Sequence, residues 1–107
     1  MNIIDRINAP AAQKPEVGKS YKIEGIAFAM VDDQYSRDPG AQRPQAIIHT
    51  PDGSVYAPGN VAHVIKEFID KGCTTDDIEA DLNGHVMEVY EQYSNKWRRM
   101  IVMGRIK

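Results

Sequence analysis

The sequence predicts a mainly β domain with one helix, a five-stranded barrel in the order β-β-β-α-β-β. Three observations carry this expectation. Runs rich in Tyr, Ile, Val, Phe and Met fall at residues 21–31, 46–58 and 86–106. Turn chemistry interrupts the second and third runs, at Pro51-Asp52-Gly53 and near Ser94-Asn95-Lys96, so each reads as a hairpin. Between the hairpins, Val61, Val64, Ile65, Phe68 and Ile69 recur at the i, i+3, i+4, i+7, i+8 spacing of one helical face.

Residues 1–17 read as a lead-in. Ile3, Ile4 and Ile7 suit one amphipathic turn, and the prolines of 9–15 suit a linker. The domain proper is 18–107. Its first strand, 21–31, carries Gly25. Glycine inside a strand marks a bulge or bend, which a barrel's first strand needs; the alternative is a glycine beneath a bulky neighbour. Residues 32–45 are polar, contain Pro39-Gly40 and Pro44, and read as a long loop bearing Tyr35, Arg37 and Arg43. Thr50-Pro51-Asp52-Gly53 is a tight turn: proline presets φ and glycine accepts positive φ.

Asn60 is the expected N-cap of helix 60–71. Gly72 stands where a left-handed C′ residue is expected. Thr74 and Asp77 have capping-box-like spacing, compatible with a short second turn over 75–82. Asn83-Gly84 then turns the chain into the last hairpin. On the final strand, 97–106, alternation places Met100, Val102 and Ile106 on one side. Trp97, Arg99, Met103 and Arg105 fall on the other, with Ile101.

A chain of 107 residues is one domain by length. Its net charge of −2 argues against a protein wrapped in duplex DNA, which needs a strongly basic surface. Cys73 is the single cysteine, so no intrachain disulfide forms, which fits a reducing cytoplasm. The N-terminus lacks a basic then apolar leader, and no apolar run nears the ~20 residues of a membrane span. A cytoplasmic protein with no membrane partner is expected.

Catalytic, metal and cofactor sites find no support. His49, His63, His85 and Cys73 are scattered, without CxxC or HxxxH spacing. Cys73 follows a helix end, where the dipole disfavours a thiolate. Asp32-Asp33 and Asp76-Asp77 read as solvated acids, and no phosphate-loop motif occurs. An enzyme is therefore not expected. What remains is aromatic plus basic: Tyr35, Tyr56, Tyr90, Tyr93 and Trp97 with Arg37, Arg43, Arg98, Arg99 and Arg105. Single-strand binders stack bases on aromatic rings and neutralise phosphates with cations. Charge is segregated too. Residues 96–107 carry only basic charges, whereas 76–91 is acidic. The plainer alternatives are that Trp97 packs across strands, that Tyr90 and Tyr93 make barrel or subunit contacts, and that the arginines protect an edge strand.

At this point the chain resembles small OB-fold single-stranded DNA-binding proteins of the kind found in phages and mobile elements. The resemblance covers residues 18–107. It rests on strand order, on Gly25 in the first strand, on the hairpin from Ile47 to Tyr56, and on the final hairpin with Trp97. It implies an OB-like barrel with binding across strands two and three, flanked by the first and last inter-strand loops. That carries Tyr56 and His49 from the hairpin, Tyr35, Arg37 and Arg43 from the first loop, and Trp97 and Arg99 from the last. Arg105 joins them as a phosphate contact. The bacterial members carry an acidic tail, whereas this sequence closes on Met103-Gly104-Arg105-Ile106-Lys107. The expected function is sequence-tolerant binding of single-stranded DNA, with RNA left open, in replication or recombination, by a homodimer or higher oligomer. The alternative is a small protein-interaction module, an inhibitor or assembly factor of phage or mobile-element origin, favoured by the acidic stretch 76–91.

Overall fold

The computed structural model describes residues 12–33 and 36–107. The expected amphipathic turn at Ile3, Ile4 and Ile7 lies outside them. The described elements are β1 (Ser20–Lys22), β2 (Gly25–Asp32), β3 (Gln42–Thr50), β4 (Gly53–Tyr56), α1 (Gly59–Asp70), α2 (Thr75–Leu82), β5 (Val86–Ser94) and β6 (Arg99–Ile106). The strands form two antiparallel three-stranded sheets, β1-β5-β6 and β2-β3-β4. The described residues are β-rich as expected, but they do not form a closed five-stranded barrel, and they hold two helices rather than one.

The run expected as one long strand is shared between the sheets. Tyr21 lies opposite Met87, and Ala27 opposite Ile47. The partner changes between adjacent residues: Ile23 N–H donates to His85 O at 2.9 Å, and Glu24 N–H donates to His49 O at 2.8 Å. Ile23 is fully buried at this junction. Gly25 follows at once, and its role is space. A Cβ there would lie 2.5 Å from Glu79 Oε1 and 3.3 Å from His49 Cδ2. The Glu79 carboxylate occupies that room and accepts the Ile26 N–H at 2.9 Å.

Two devices take the place of barrel closure. The outer edge of β4 is covered by Gln13, whose N–H donates to Ser54 O at 3.0 Å and whose carbonyl accepts Tyr56 N–H at 2.9 Å. The outer edge of β6 is clamped at Gly104 by a side chain of α1. Asn60 Nδ2 donates to Gly104 O at 2.8 Å, and Gly104 N–H donates to Asn60 Oδ1 at 2.9 Å. One amide thus imitates a neighbouring strand. Gly104 has to lack a side chain, since a Cβ would sit 2.8 Å from Val61 Cγ2 and 3.2 Å from Pro58 Cγ. Helix α1 therefore wedges between the sheets, where a barrel would zip its last strands together.

This use of Asn60 overturns its expected role as N-cap. Helix α1 starts after Pro58, with no side-chain cap. Its end is as expected: Gly72 has φ 101°, Cys73 N–H donates to Phe68 O and Gly72 N–H to Ile69 O, each at 3.0 Å. That is a Schellman ending. The Thr74–Asp77 capping box is formed, with Asp77 N–H on Thr74 Oγ1 at 3.2 Å and Thr74 N–H on Asp77 Oδ2 at 3.0 Å. It starts a helix of eight residues rather than a stray turn.

The core lies between the two sheets and the helices. Ile26, Ile48 and Val55 come from one sheet, Met87 and Val89 from the other, Val61, Ala62 and Ile65 from α1, and Ile78 from α2. Each large aliphatic side chain buried there is worth about 1.5–3 kcal/mol. The loop expected over 32–45 is shorter, because Arg43 and Pro44 lie on β3. The Ala46 carbonyl points away from β2, to Ala57 N–H. Pro44 has the same parity, so its missing N–H falls on a side with no strand partner.

Candidate nucleic-acid interface

Strand alternation divides the sheet β2-β3-β4 into two faces. Ile26, Ile48 and Val55 point into the core. The opposite face therefore carries Arg43, Gln45, Ile47 and His49 of β3, with Ser54 and Tyr56 of β4. Apart from Gly25, no residue on that face is buried. Three expected site residues thus share one open face: Arg43, exposed, and His49 and Tyr56, half-buried. Tyr56 stands opposite Ile47 and Ser54 opposite His49. The His49 ring is held by a hydrogen bond between Nδ1 and Ser54 Oγ, at 2.8 Å. Arg37 is exposed in the connection from β2 to β3, at the end of the sheet where Val31 and Arg43 pair. Tyr35 lies outside the described residues.

Arg99 and Arg105 belong to the other sheet and Trp97 to its hairpin turn, and among the described residues no hydrogen bond or ion pair ties them to this face. The β5–β6 hairpin runs on past the core as an arm. Its last buried residues are Val89 and Gly104; from Tyr90 to Met103 none is buried. Trp97 was expected on a strand face beside Arg99. It instead lies in the turn at the tip, which closes with Arg98 in the left-handed region at φ 54°. Trp97 is 61% exposed, with Lys96 Nζ 5.1 Å from its ring centroid. Arg105 is exposed and lays its guanidinium 4.7 Å from the Tyr90 ring centroid, a cation–π contact. Lys107 pairs with Glu88 at 2.9 Å. The tip concentrates Lys96, Arg98 and Arg99 beside one exposed indole.

A second feature escaped the sequence reading. Helices α1 and α2 and the end of β6 bound an apolar groove of about 390 Å³, lined by Val61, Val64, Phe68, Ile78, Leu82 and Ile106. Val64 is 49% and Phe68 48% exposed, though both belong to the stripe expected to face the core. The sequence carried no signal for it, because this spacing is the ordinary pattern of a helix that packs its whole stripe on a core. Asp77 and Asp81 are exposed along the groove. The Thr74 backbone N–H and hydroxyl hold the Asp77 carboxyl below its ordinary 3.8, so it stays charged.

Among the described residues no cluster of His, Cys, Asp and Glu is arranged to hold a metal ion. None of the described helices is long and apolar enough to cross a membrane. No protein-family model matches the chain, and neither does any curated protein or solved structure.

Proposed function

We propose that this is a non-enzymatic, sequence-tolerant single-stranded DNA-binding protein of replication or recombination, working in the cytoplasm. The strand would lie across the open face of β2-β3-β4. The observation that supports this reading is the convergence of Arg43, His49 and Tyr56 on the sheet face opposite the core, whose Gly25 end is occupied by Glu79 of α2. Tyr56 offers a ring for base stacking, worth roughly 1–3 kcal/mol per base. Arg43 and Arg37 supply the phosphate contacts, and two neutralised phosphates give a log–log salt slope of about −1.4. His49, fixed by Ser54, adds a polar edge. The net negative charge of the whole chain then disfavours duplex binding.

The test is fluorescence anisotropy with labelled oligo-dT, oligo-U and a duplex at two salt concentrations. Tyr56→Ala should weaken oligo-dT binding by roughly 1–3 kcal/mol. Arg43→Ala should weaken it and flatten the salt slope by about 0.7. No binding by the folded protein, or an unchanged affinity for Tyr56→Ala, sinks the reading. The ratio of oligo-dT to oligo-U affinity decides between DNA and RNA. A second reading, a protein-interaction module, is favoured by the acidic-rimmed groove, and indifference to all three oligonucleotides would leave it standing.

A further inference from the structure

Helix α1 leaves part of its apolar stripe uncovered. Val61 and Ile65 are buried, yet Val64 and Phe68 on the same stripe stand 49% and 48% exposed. Across the groove, Ile78 and Leu82 of α2 form a second apolar row, one helical turn apart. An apolar trough left open between two helices marks an interaction site, and its walls restrict what can fill it. Both helices bond their backbones internally, so neither wall offers an N–H or C=O to a guest. On the β6 side, Asn60 takes both backbone groups of Gly104, and only Ile106 follows it on the wall before the strand ends. An extended peptide would therefore bury its own backbone groups without partners, which is costly. A helix bonds its backbone to itself and brings only side chains to the groove. A small ligand fits the trough poorly, because such sites enclose most of their guest, whereas Val64 and Phe68 leave the α1 wall half in water.

Charge states the rest of the guest's chemistry. The α2 wall carries Asp77 and Asp81, both exposed and both lining the groove. They are spaced i, i+4, about 6 Å along the helix axis. Asp77 accepts the Thr74 N–H at 3.0 Å and stays ionised. Among the described residues the Asp81 carboxylate has no hydrogen bond or ion pair. The α1 wall differs: its exposed Phe68 has the Lys71 ammonium 5.6 Å from the ring centroid. A complementary guest turns cations toward α2 and keeps them away from Lys71. Two basic residues one turn apart on a helix match the spacing of Asp77 and Asp81.

We propose that the groove between α1 and α2 binds a basic amphipathic helix of another protein. Its apolar face lies between Val64 and Phe68 on one side and Ile78 and Leu82 on the other, and two Lys or Arg side chains, one turn apart, meet Asp77 and Asp81. No residue assigned to nucleic acid lines this groove, and the test uses no nucleic acid, so the two readings fail separately.

The probes are two labelled synthetic helices, each about four turns long. One has leucines on one face and lysines flanking them; its twin has glutamates in place of the lysines. Fluorescence anisotropy on the full chain should show the lysine peptide binding and its twin binding far more weakly. Cys73, the single cysteine, lines the groove, so the lysine peptide should also slow its alkylation by iodoacetamide. Phe68→Ala should weaken binding about tenfold, as for an interface aromatic. Asp81→Lys removes an attraction and adds a repulsion, and should lower the preference for lysine over glutamate peptide by about tenfold. Glu91→Lys makes the same change of charge on the arm and should leave that preference unaltered. Circular dichroism of each variant confirms its fold. No binding of the lysine peptide overturns the proposal, as does binding that leaves Cys73 unprotected or that Asp81→Lys and Glu91→Lys weaken alike. Protection of Cys73 by octylammonium as strong as by the peptide overturns it in favour of a small lipophilic cation. Protection that rises with protein concentration alone overturns it in favour of a second copy.

Discussion

Replacing Asn60 separates two accounts of the same residue. The side chain makes two hydrogen bonds to Gly104, at 2.8 and 2.9 Å, and Gly104 is buried. Each bond contributes about 1 kcal/mol net, and a buried backbone group left without its partner costs about 1–3 kcal/mol. Asn60→Ala strands both groups at once, so the expected loss is about 2–4 kcal/mol. Alanine's better helix propensity returns roughly 0.5 kcal/mol of that. In a domain of this size a 2 kcal/mol loss lowers Tm by at least about 8 °C. Urea unfolding followed by circular dichroism measures the loss directly. Asn60→Ser is the discriminating variant. Serine is as good an N-cap as asparagine, but its hydroxyl is too short to bridge an N–H and a C=O of the same residue. The clamp therefore predicts that Ser costs nearly as much as Ala. If Asn60→Ser is neutral while Asn60→Ala loses about 1 kcal/mol, the residue is acting as a cap and the clamp account is wrong.

Two further outcomes follow from the same geometry. Gly25→Ala should displace the Glu79 carboxylate from Ile26 N–H and cost about 1.5–3 kcal/mol, the worth of a hydrogen bond to a charged group; in a Glu79→Ala background the same change should cost at least about 0.5 kcal/mol less, as a double-mutant cycle in urea would read. Asp77 has a folded pKa below its ordinary 3.8 because Thr74 donates to its carboxylate. A depressed carboxyl contributes stability above its unfolded pKa and loses it as pH falls through the folded value. Thermal melts below about pH 4 should therefore be steeper in pH for the wild type than for Asp77→Asn, and identical slopes would discount the capping box as a source of acid sensitivity.

What the sequence made legible was local. The turn at Pro51-Asp52-Gly53, the spacing from Val61 to Ile69, and Gly72 each declare themselves within a few residues, because φ preferences and helical periodicity act over that range. Even the capping box at Thr74 and Asp77 announced α2. What stayed hidden depended on distant partners. Nothing near Ile23 and Glu24 tells which strand each will meet. Asn60 has the local look of a cap, and its competitor Gly104 is far along the chain. Gly25 was read as a bend, with crowding as the alternative, and the crowding comes from Glu79 on α2. Pro44 was read as a loop residue because prolines break central strands, yet the side of β3 it disturbs has no partner there.

The candidate site divides in the same way. Arg43 and His49 share a face by parity along β3, but Arg43 was read as part of the loop over 32–45, so this needed the strand's true start at Gln42, and the addition of Tyr56 needed the β3–β4 register. Trp97 was assigned to a strand face by alternation, and the turn before Arg99 removed it from the ladder. The groove was missed because the apolar stripe of α1 was assigned whole to the core.

The shared run from β1 into β2 also fixes an order of events in folding. The β2-β3-β4 meander and the β5–β6 hairpin each pair neighbours in sequence, so their loops close early and at small entropic cost. Pairing Tyr21 with Met87 closes a far longer loop and must wait for both. During synthesis the first sheet can assemble while Ser20–Lys22 has no partner to meet, since Val86–Ser94 has yet to emerge. Docking of that short strand is thus the step that joins two half-built sheets around Ile23. Substitutions at Ile23 would slow refolding, whereas those on the arm would act after the barrier and speed unfolding instead.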